Sequence, residues 1–155
     1  MRVIGLDLGR RRIGLAVSDR SRTLATPWRT VRGDGSVPEV TGRLVTLLRE
    51  LGEEEDGLAG IVVGLPSHLD GRLHEHAARV RAVAEVLKQR TGLPVTLQDE
   101  RLTSIEAQQR LAQRERDWRK RKARLDAAAA AVILQDYLDL HIQEAGGRKQ
   151  DTGEA

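Results

Sequence analysis

Short apolar runs alternate with polar turns over the first 32 residues of the chain. Residues 3–8 and residues 13–17 are apolar, and an arginine triplet at residues 10–12 separates them. Apolar runs of this length are typical of buried β-strands, and the triplet predicts a tight turn that pairs them as a hairpin. A weaker apolar run over residues 23–31 contains Pro27, which predicts a third strand in an edge or irregular position.

Helical spacing of apolar residues follows in later segments. Residues 37–51, 74–90 and 125–141 repeat apolar side chains three and four positions apart, which predicts amphipathic helices. A continuous apolar run at residues 58–63 predicts a central buried strand, and residues 93–98, after the second helix, are predicted as a fifth strand.

Polar segments mark the remaining connections. The spacing of Thr103 and Glu106 matches a capping box, which predicts a helix that dissolves into the basic segment 114–124. The acidic residues 53–56 predict a solvated connector, and the polar residues 143–155 predict a disordered tail.

The order of predicted elements, β-β-β-α-β-α-β-α-α, indicates an α/β fold. Three meandering strands and two strands reached through helices predict a five-stranded mixed sheet, with the first three strands antiparallel and helices on both faces. A chain of 155 residues has the size of one domain. We therefore expect a single domain over residues 1–142, followed by the tail.

Composition excludes several classes of protein. Hydrophobic residues make up 39% of the chain and charged residues 32%, which is typical of globular proteins. No apolar run approaches the roughly 20 residues that span a bilayer, and Asp7 and Arg10 interrupt any signal-peptide pattern. Because the chain has no cysteine, disulfides and thiolate zinc sites are excluded, and we expect a cytoplasmic protein without a membrane partner.

Positive charge is concentrated in two segments. Residues 1–32 hold eight arginines against two aspartates, and residues 114–124 hold seven lysines or arginines against two acids. The rest of the chain is net acidic, because the formal net charge is only +3. Two basic segments favour a surface that binds nucleic acid, and a general abundance of arginine is the alternative. Aromatic residues make up 2%, which argues against extensive base stacking.

Asp7 is a candidate site residue because it lies inside the first apolar strand. Alternation places its side chain opposite Ile4, Leu6 and Leu8, on the side of Gly5 and Gly9, where the missing side chains leave room for an ion or a phosphate. A carboxylate in a buried strand is costly unless it is paired or coordinated. A salt-bridged structural acid is the alternative.

Two further candidate acids come from distant segments. Glu100 follows the fifth predicted strand, and alternation lets it point to the site while Asp99 faces away. Asp126 lies in the first turn of the last predicted helix. Acids near residue 100 also suit a helix N-terminus, and Asp126 also suits an N-cap. The face that Asp126 shares is expected to pack on the sheet through Ala130, Ile133, Tyr137 and Leu140.

Clustering of these three acids would favour bound metal ions, because carboxylates repel one another unless they are protonated or bridged by cations. Oxygen ligands without cysteine favour Mg²⁺ or Mn²⁺ over zinc. Such ions polarise a phosphodiester and activate water for its hydrolysis. His74 and His76 form a His-x-His pair, but without further ligands nearby we expect surface residues rather than a zinc site.

The motifs of the chain resemble those of a known family. Residues 7–19 are similar to D-x-G-x-x-R-I-G-x-A-x-S-D, the opening of the YqgF/RuvX family of Holliday junction resolvases or pre-16S rRNA nucleases. Further motifs follow in order, and the resemblance covers residues 3–140. These motifs are residues 61–66 with 70–71, residues 99–103 with 106–107, residues 119–122, and Asp126 with residues 134–138.

The resemblance implies an RNase H-like fold with Asp7, Glu100 and Asp126 as its acidic triad, and these three positions match the family pattern one by one. Arg10 stands where the family usually has Thr, and Arg72 stands where Thr or Ser is usual. His68 stands where Asn is usual, so the substrate contacts near the predicted loop at residues 64–72 stay open.

These observations predict an endonuclease that uses Mg²⁺ or Mn²⁺ on structured nucleic acid, either four-way DNA junctions or precursor 16S rRNA. Asp7 is expected to bridge the metal ions, and Glu100 and Asp126 to complete their shells. The basic segment 114–124 is expected to act as an arm across the backbone, with Trp118 stacked on an unpaired base. The residues expected to contact nucleic acid are Arg10, Arg11, Arg12, Arg72, Arg101, Arg114, Arg116, Trp118, Arg119, Lys120, Arg121, Lys122 and Arg124.

Two other functional classes are alternatives. An ATPase of the actin, Hsp70 and sugar-kinase type needs two lobes, and 155 residues supply one. A non-catalytic RNA-binding factor of ribosome assembly fits the basic segments equally well, but it does not explain acids in buried elements. Within the nuclease prediction, junction resolution calls for two active sites and hence a homodimer.

Overall fold

The computed structural model describes residues 1–66, 71–99 and 125–141. The predicted helix after Thr103, the basic segment 114–124, the tail and the domain boundary at residue 142 lie outside the described residues. The described elements follow the predicted order. They are β1 (Arg2–Leu8), β2 (Arg12–Ser18), β3 (Ala25–Arg32), α1 (Val37–Glu53), β4 (Leu58–Leu65), α2 (Gly71–Thr91), β5 (Val95–Asp99) and α3 (residues 125–141).

The five strands form one mixed sheet in the order β3-β2-β1-β4-β5. β1 to β3 pair antiparallel, whereas β4 runs parallel to β1 and β5 runs parallel to β4. The predicted five-stranded sheet is therefore confirmed. Because β1, β4 and β5 run in the same direction, they end along one side of the sheet, which we call the carboxyl edge.

Helices cover both faces of this sheet, as predicted. On one face α1 and α2 pack on a core that includes Ile4, Leu6 and Leu8 of β1. On the other face the side chains of α3 pack on Val3 and on residues of β2 and β4. Among the described residues, none of the helices has the combination of length and apolarity that crossing a bilayer requires.

Several element boundaries differ from the predictions. β4 continues to Leu65 and α2 begins at Gly71, so both ends of the loop predicted at residues 64–72 belong to regular structure. β5 begins after Pro94, because proline has no N–H to give to a strand ladder. β3 begins only at Ala25, because the preceding amides bond to a side chain in the β2–β3 turn.

That side chain is Asp19, which organises the turn. Its carboxylate accepts hydrogen bonds from the backbone N–H of Thr23 (2.8 Å) and Leu24 (3.2 Å) and from the hydroxyl of Ser21 (2.8 Å). These bonds, the backbone N–H of Thr23 foremost, lower the pKa of Asp19 well below its ordinary value. The neighbouring Ser18 is buried, and its Oγ accepts from the backbone N–H of Val3 (2.8 Å). The last two residues of the opening motif thus stabilise the hairpin.

Candidate acidic site at the carboxyl edge

Asp7 lies near the end of β1 on the face covered by α3. Its neighbours Leu6 and Leu8 belong to the core of the α1–α2 face, so alternation places Asp7 on the α3 face together with Gly5. The side of the strand on which Asp7 lies is the predicted one. Asp7 is half-buried, which suits a carboxylate that can reach a ligand.

Two glycines of the hairpin allow α3 to approach the sheet closely. A Cβ on Gly5 would lie 2.7 Å from the Cβ of Leu134 and 3.0 Å from the carbonyl oxygen of Ala130. A Cβ on Gly14 would overlap the backbone of Asp126. The expectation that the space beside Gly5 holds an ion or a phosphate is therefore wrong, because the helix fills it.

The same packing brings the start of α3 next to Asp7. Gly14 is the direct cross-strand partner of Asp7 in the β1–β2 pair. Residues opposite each other in an antiparallel pair have Cα atoms about 4.5–5.5 Å apart. Since the backbone of Asp126 contacts Gly14, the two acids from opposite ends of the chain lie on the same face at the carboxyl edge.

Asp126 also forms an ion pair with Arg12, the first residue of β2. The Nε of Arg12 lies 3.1 Å from Oδ2 of Asp126, and the two side chains are 39% and 27% exposed. Such a pair is a structural role for Asp126 and competes with a metal role. Partly exposed pairs contribute only about 0–1 kcal/mol, however, so a divalent cation at two carboxylates can displace the arginine.

The third predicted acid, Glu100, lies outside the described residues. Its neighbour Asp99 ends β5 with the same alternation as Val95, which packs on the α1–α2 core. Asp99 therefore faces away from Asp7, as predicted. Within residues 1–66, 71–99 and 125–141 no three histidine, aspartate or glutamate side chains form a group that could hold a metal ion. The structure thus brings together two members of the triad.

The predicted nucleic-acid contacts divide into three groups. Arg10 and Arg11 are exposed in the β1–β2 turn at the carboxyl edge, and Arg12 bonds to Asp126. Arg72 lies in the first turn of α2, but its side chain is not among those described. The remaining predicted contacts lie outside the described residues, namely Arg101, Arg114, Arg116, Trp118, Arg119, Lys120, Arg121, Lys122 and Arg124.

The arginines of residues 1–32 do not form one surface. Arg2 pairs with Glu54 (2.9 Å) and Arg20 pairs with Asp56 (3.2 Å), both at the edge opposite to Asp7. The turn of the β1–β2 hairpin and the free ends of its strands lie at opposite edges of the sheet. The arginines of residues 1–32 are therefore divided between these two edges. Of the arginines in residues 1–32, those of the β1–β2 turn and Arg32, the β3 partner of Arg12, lie at the same edge as the acids.

The prediction that His76 is a surface residue is wrong, although His74 is exposed. His76 is half-buried, and its Nδ1 is buried without a hydrogen-bond partner among the described residues. Burial lowers the pKa of His76, the positive charges of Arg10 and Arg79 lower it further, and a hydrogen bond to the backbone of Leu8 opposes them. The sequence signal for this burial is helical spacing, because the buried Val80 follows four positions later.

Comparison with known proteins gives relatives over nearly the whole chain. A sequence model described as "RuvX: Holliday junction resolvase" matches residues 1–140. A protein of Anaeromyxobacter sp. is 45% identical over 90% of this chain and 97% of its own length. A protein of Thermosynechococcus vestitus is 43% identical over 92% of this chain and 91% of its own length. Both carry the name "Putative pre-16S rRNA nuclease".

Solved structures show the same fold. RuvC of Thermus thermophilus in complex with a Holliday junction substrate has a TM-score of 0.55 and 18% identity, covering 92% of this chain and 96% of RuvC. A second Thermus thermophilus RuvC structure has a TM-score of 0.53. The predicted RNase H-like fold is confirmed by these matches. With the sequence match over residues 1–140, we conclude that the chain belongs to the RuvX family.

Proposed function

We propose that this protein is an endonuclease that hydrolyses phosphodiester bonds in structured nucleic acid with the help of divalent metal ions. The observation that supports it most is the meeting of Asp7 and Asp126 on one face of the carboxyl edge, across Gly14. The carboxyl ends of parallel strands are where sheets of this kind collect their sites. The family description and the names of the relatives agree with a nuclease.

The residues fit a hard divalent cation. Asp7 and Asp126 offer carboxylate oxygens from two rigid elements, both are partly exposed, and the chain has no cysteine to favour a softer metal. We propose that Asp7, Asp126 and Glu100 hold Mg²⁺ or Mn²⁺. When bound, such ions polarise the phosphodiester and generate a nucleophile from water.

The arginines of the β1–β2 turn bind the substrate in this proposal. Arg10 and Arg11 are exposed in the turn that follows Asp7 and can contact phosphates of the bound strand. Arg12 holds the carboxylate of Asp126 in place before the cation arrives. The chain thus supplies positioning and charge, which is the main contribution a protein makes to a metal-assisted phosphoryl transfer.

Two substrates are compatible with the proposal. The relatives named above point to precursor 16S rRNA, and the RuvC complex contains a Holliday junction. We propose a cytoplasmic location, in which both substrates are accessible. A four-way junction presents two equivalent strands, so its resolution requires a homodimer, whereas one site suffices to trim an rRNA precursor.

Cleavage assays test the proposal. A four-way junction and a precursor-rRNA fragment are each incubated with Mg²⁺ or Mn²⁺ and the wild type, Asp7→Asn or Asp126→Asn. We expect both variants to lose roughly a hundredfold or more in rate while their binding changes little, because they remove charge that holds the cations. The control is Asp139→Asn, which changes an exposed aspartate of α3. Normal cleavage by Asp7→Asn would contradict the site.

The second candidate function is a non-catalytic RNA-binding factor of ribosome assembly. The Arg12–Asp126 ion pair favours it, because it gives Asp126 a structural partner. Binding of precursor rRNA without strand scission under every metal condition would support this candidate over the nuclease.

A further inference from the structure

A polar pocket lies beside the β1–β2 turn, on the side of the sheet that α2 covers. Its volume is about 240 Å³, and its walls are Arg10 from the turn with Glu75, His76 and Arg79 from α2. The pocket is therefore separate from the acids, which lie on the α3 face. The four residues that line it are charged or polar, and the carbon atoms of their side chains also face the pocket.

Arg79 is held in a fixed position at this pocket. Its Nη2 donates to the carbonyl oxygens of Gly33 (3.0 Å) and Gly35 (2.8 Å) in the loop after β3. The backbone N–H of Gly33 in turn donates to the carbonyl oxygen of Arg11 (2.9 Å). The guanidinium is thus tied to the same turn that carries Arg10. A cation fixed in this way loses little conformational entropy when an anion binds.

Among the described residues, the charged groups that line the pocket are net positive. Two arginines face one carboxylate, that of Glu75, which is exposed. The half-buried His76 adds a ring whose Nδ1 lacks a hydrogen-bond partner in the described part of the chain. That atom is buried from solvent, so it is not the part of the ring that faces the pocket.

We propose that Arg10 and Arg79 bind a phosphate of the nucleic-acid backbone beside the ring of His76, as a second substrate contact on the far side of the β1–β2 turn from Asp7 and Asp126. This inference rests on the proposed function. Arg10 follows Asp7 by three residues, so the pocket and the acids are at most about 10 Å of chain apart. A backbone that crosses the turn can therefore contact both, and the pocket sets the position of the strand relative to the acids.

Binding measurements in EDTA test the pocket without cleavage. A labelled four-way junction and a precursor-rRNA fragment are titrated with wild type, Arg10→Ala, His76→Gln and Arg81→Ala over a series of salt concentrations. Arg81 is the matched control, because it is an exposed arginine of α2 two positions from Arg79 and hence on another side of the helix. The full chain is used throughout.

We expect Arg10→Ala to weaken binding about tenfold and to reduce the salt slope of log K by about one. His76→Gln should weaken binding by a smaller factor, and Arg81→Ala should leave affinity and slope unchanged. If Arg10→Ala and His76→Gln both behave like Arg81→Ala, the pocket does not bind the substrate.

NMR of the His76 ring separates the two sources of phosphate. We expect a short oligonucleotide to shift its resonances at lower concentration than inorganic phosphate, and Arg10→Ala to abolish the shift. Saturation by inorganic phosphate at equal or lower concentration would indicate a free-anion site and overturn the proposal. Because neither experiment needs metal or cleavage, a protein that fills this pocket but cuts nothing would contradict only the nuclease assignment.

Discussion

At the scale of single residues, the position of the site depends on small side chains as much as on acids. Asp7 is placed on its face by strand alternation, which can be seen in the sequence. The local sequence around Gly14 does not show why a glycine is needed there, because the group it must accommodate belongs to a helix more than a hundred residues later. Its missing side chain allows the backbone of Asp126 to lie over the cross-strand neighbour of Asp7.

Gly14→Ala tests this close approach. A Cβ there would overlap the Asp126 backbone, so we expect a loss of about 1–3 kcal/mol in the free energy of unfolding and a parallel loss of cleavage. Denaturant titration and the junction assay measure the two effects. The control is Gly42→Ala in α1, where nothing lies within 4 Å of the new Cβ and about 0.5–1 kcal/mol of stabilisation is expected. Equal stability of Gly14→Ala and wild type would contradict the packing.

At the scale of elements, α3 illustrates what helical spacing predicts and what it misses. Ala130 and Ile133 are buried as expected, and Tyr137 is partly buried. Leu140 was expected on the same face but is 51% exposed, whereas Leu134 is fully buried. The buried stripe instead runs through Ala130, Leu134 and Leu138, which pack in one cluster with Val3 and Val62 of the sheet.

Leu134→Ala should therefore uncouple α3 from the sheet. We expect a loss of about 2–5 kcal/mol in the free energy of unfolding, because the leucine is fully buried and its removal leaves a cavity. Leu140→Ala, the same change on the exposed side of the helix, should stay within about 0.5 kcal/mol of wild type. Thermal or denaturant unfolding measures both, and similar losses for the two variants would refute the assigned face.

The β2–β3 turn is the second element with a testable dependence. Asp19→Ala removes the acceptor of the Thr23 and Leu24 amides, so we expect faster hydrogen exchange at both. Because the pKa of Asp19 is lowered on folding, its contribution to stability is complete above the ordinary value of 3.8 and is lost as the pH falls through the lowered value.

Unfolding titrations at pH 7 and pH 3 check the sign. Wild type should lose more stability between these values than Asp19→Ala, which has no carboxylate left to protonate. Glu50→Ala, a change at an exposed acid of α1, should keep the pH dependence of wild type. A variant at residue 19 with the wild-type pH dependence would show that the turn does not depend on this charge.

At the scale of the whole molecule, the carboxyl edge has two different sides. The acids lie on the α3 face and the arginine pocket lies on the α2 side, with the β1–β2 turn between them. A polyanion that crosses this edge is attracted by the arginines and repelled by the acids. A cation bound at the acids removes that repulsion. Binding and cleavage are therefore expected to respond to different ions.

Metal ions should stabilise the folded protein if Asp7 and Asp126 hold them. At a concentration ten times Kd, a ligand that binds only the native state adds about 1.4 kcal/mol, which raises Tm by about 3–5 °C for a chain of this length. We expect this rise with Mg²⁺ or Mn²⁺ in wild type and little rise in Asp7→Asn. Sodium chloride at matched ionic strength is the control, and an equal rise in both proteins would argue against the site.

The order of the elements, the mixed sheet and the side of β1 on which Asp7 lies follow from the sequence by itself. They depend on alternation and helical spacing, which are local properties that neighbouring residues determine. Tertiary structure alone decided the meeting of Asp7 and Asp126 across Gly14 and the pairing of Arg12 with Asp126. Each of these depends on contacts between segments far apart in the chain, and their distances are set only when the helices pack on the sheet.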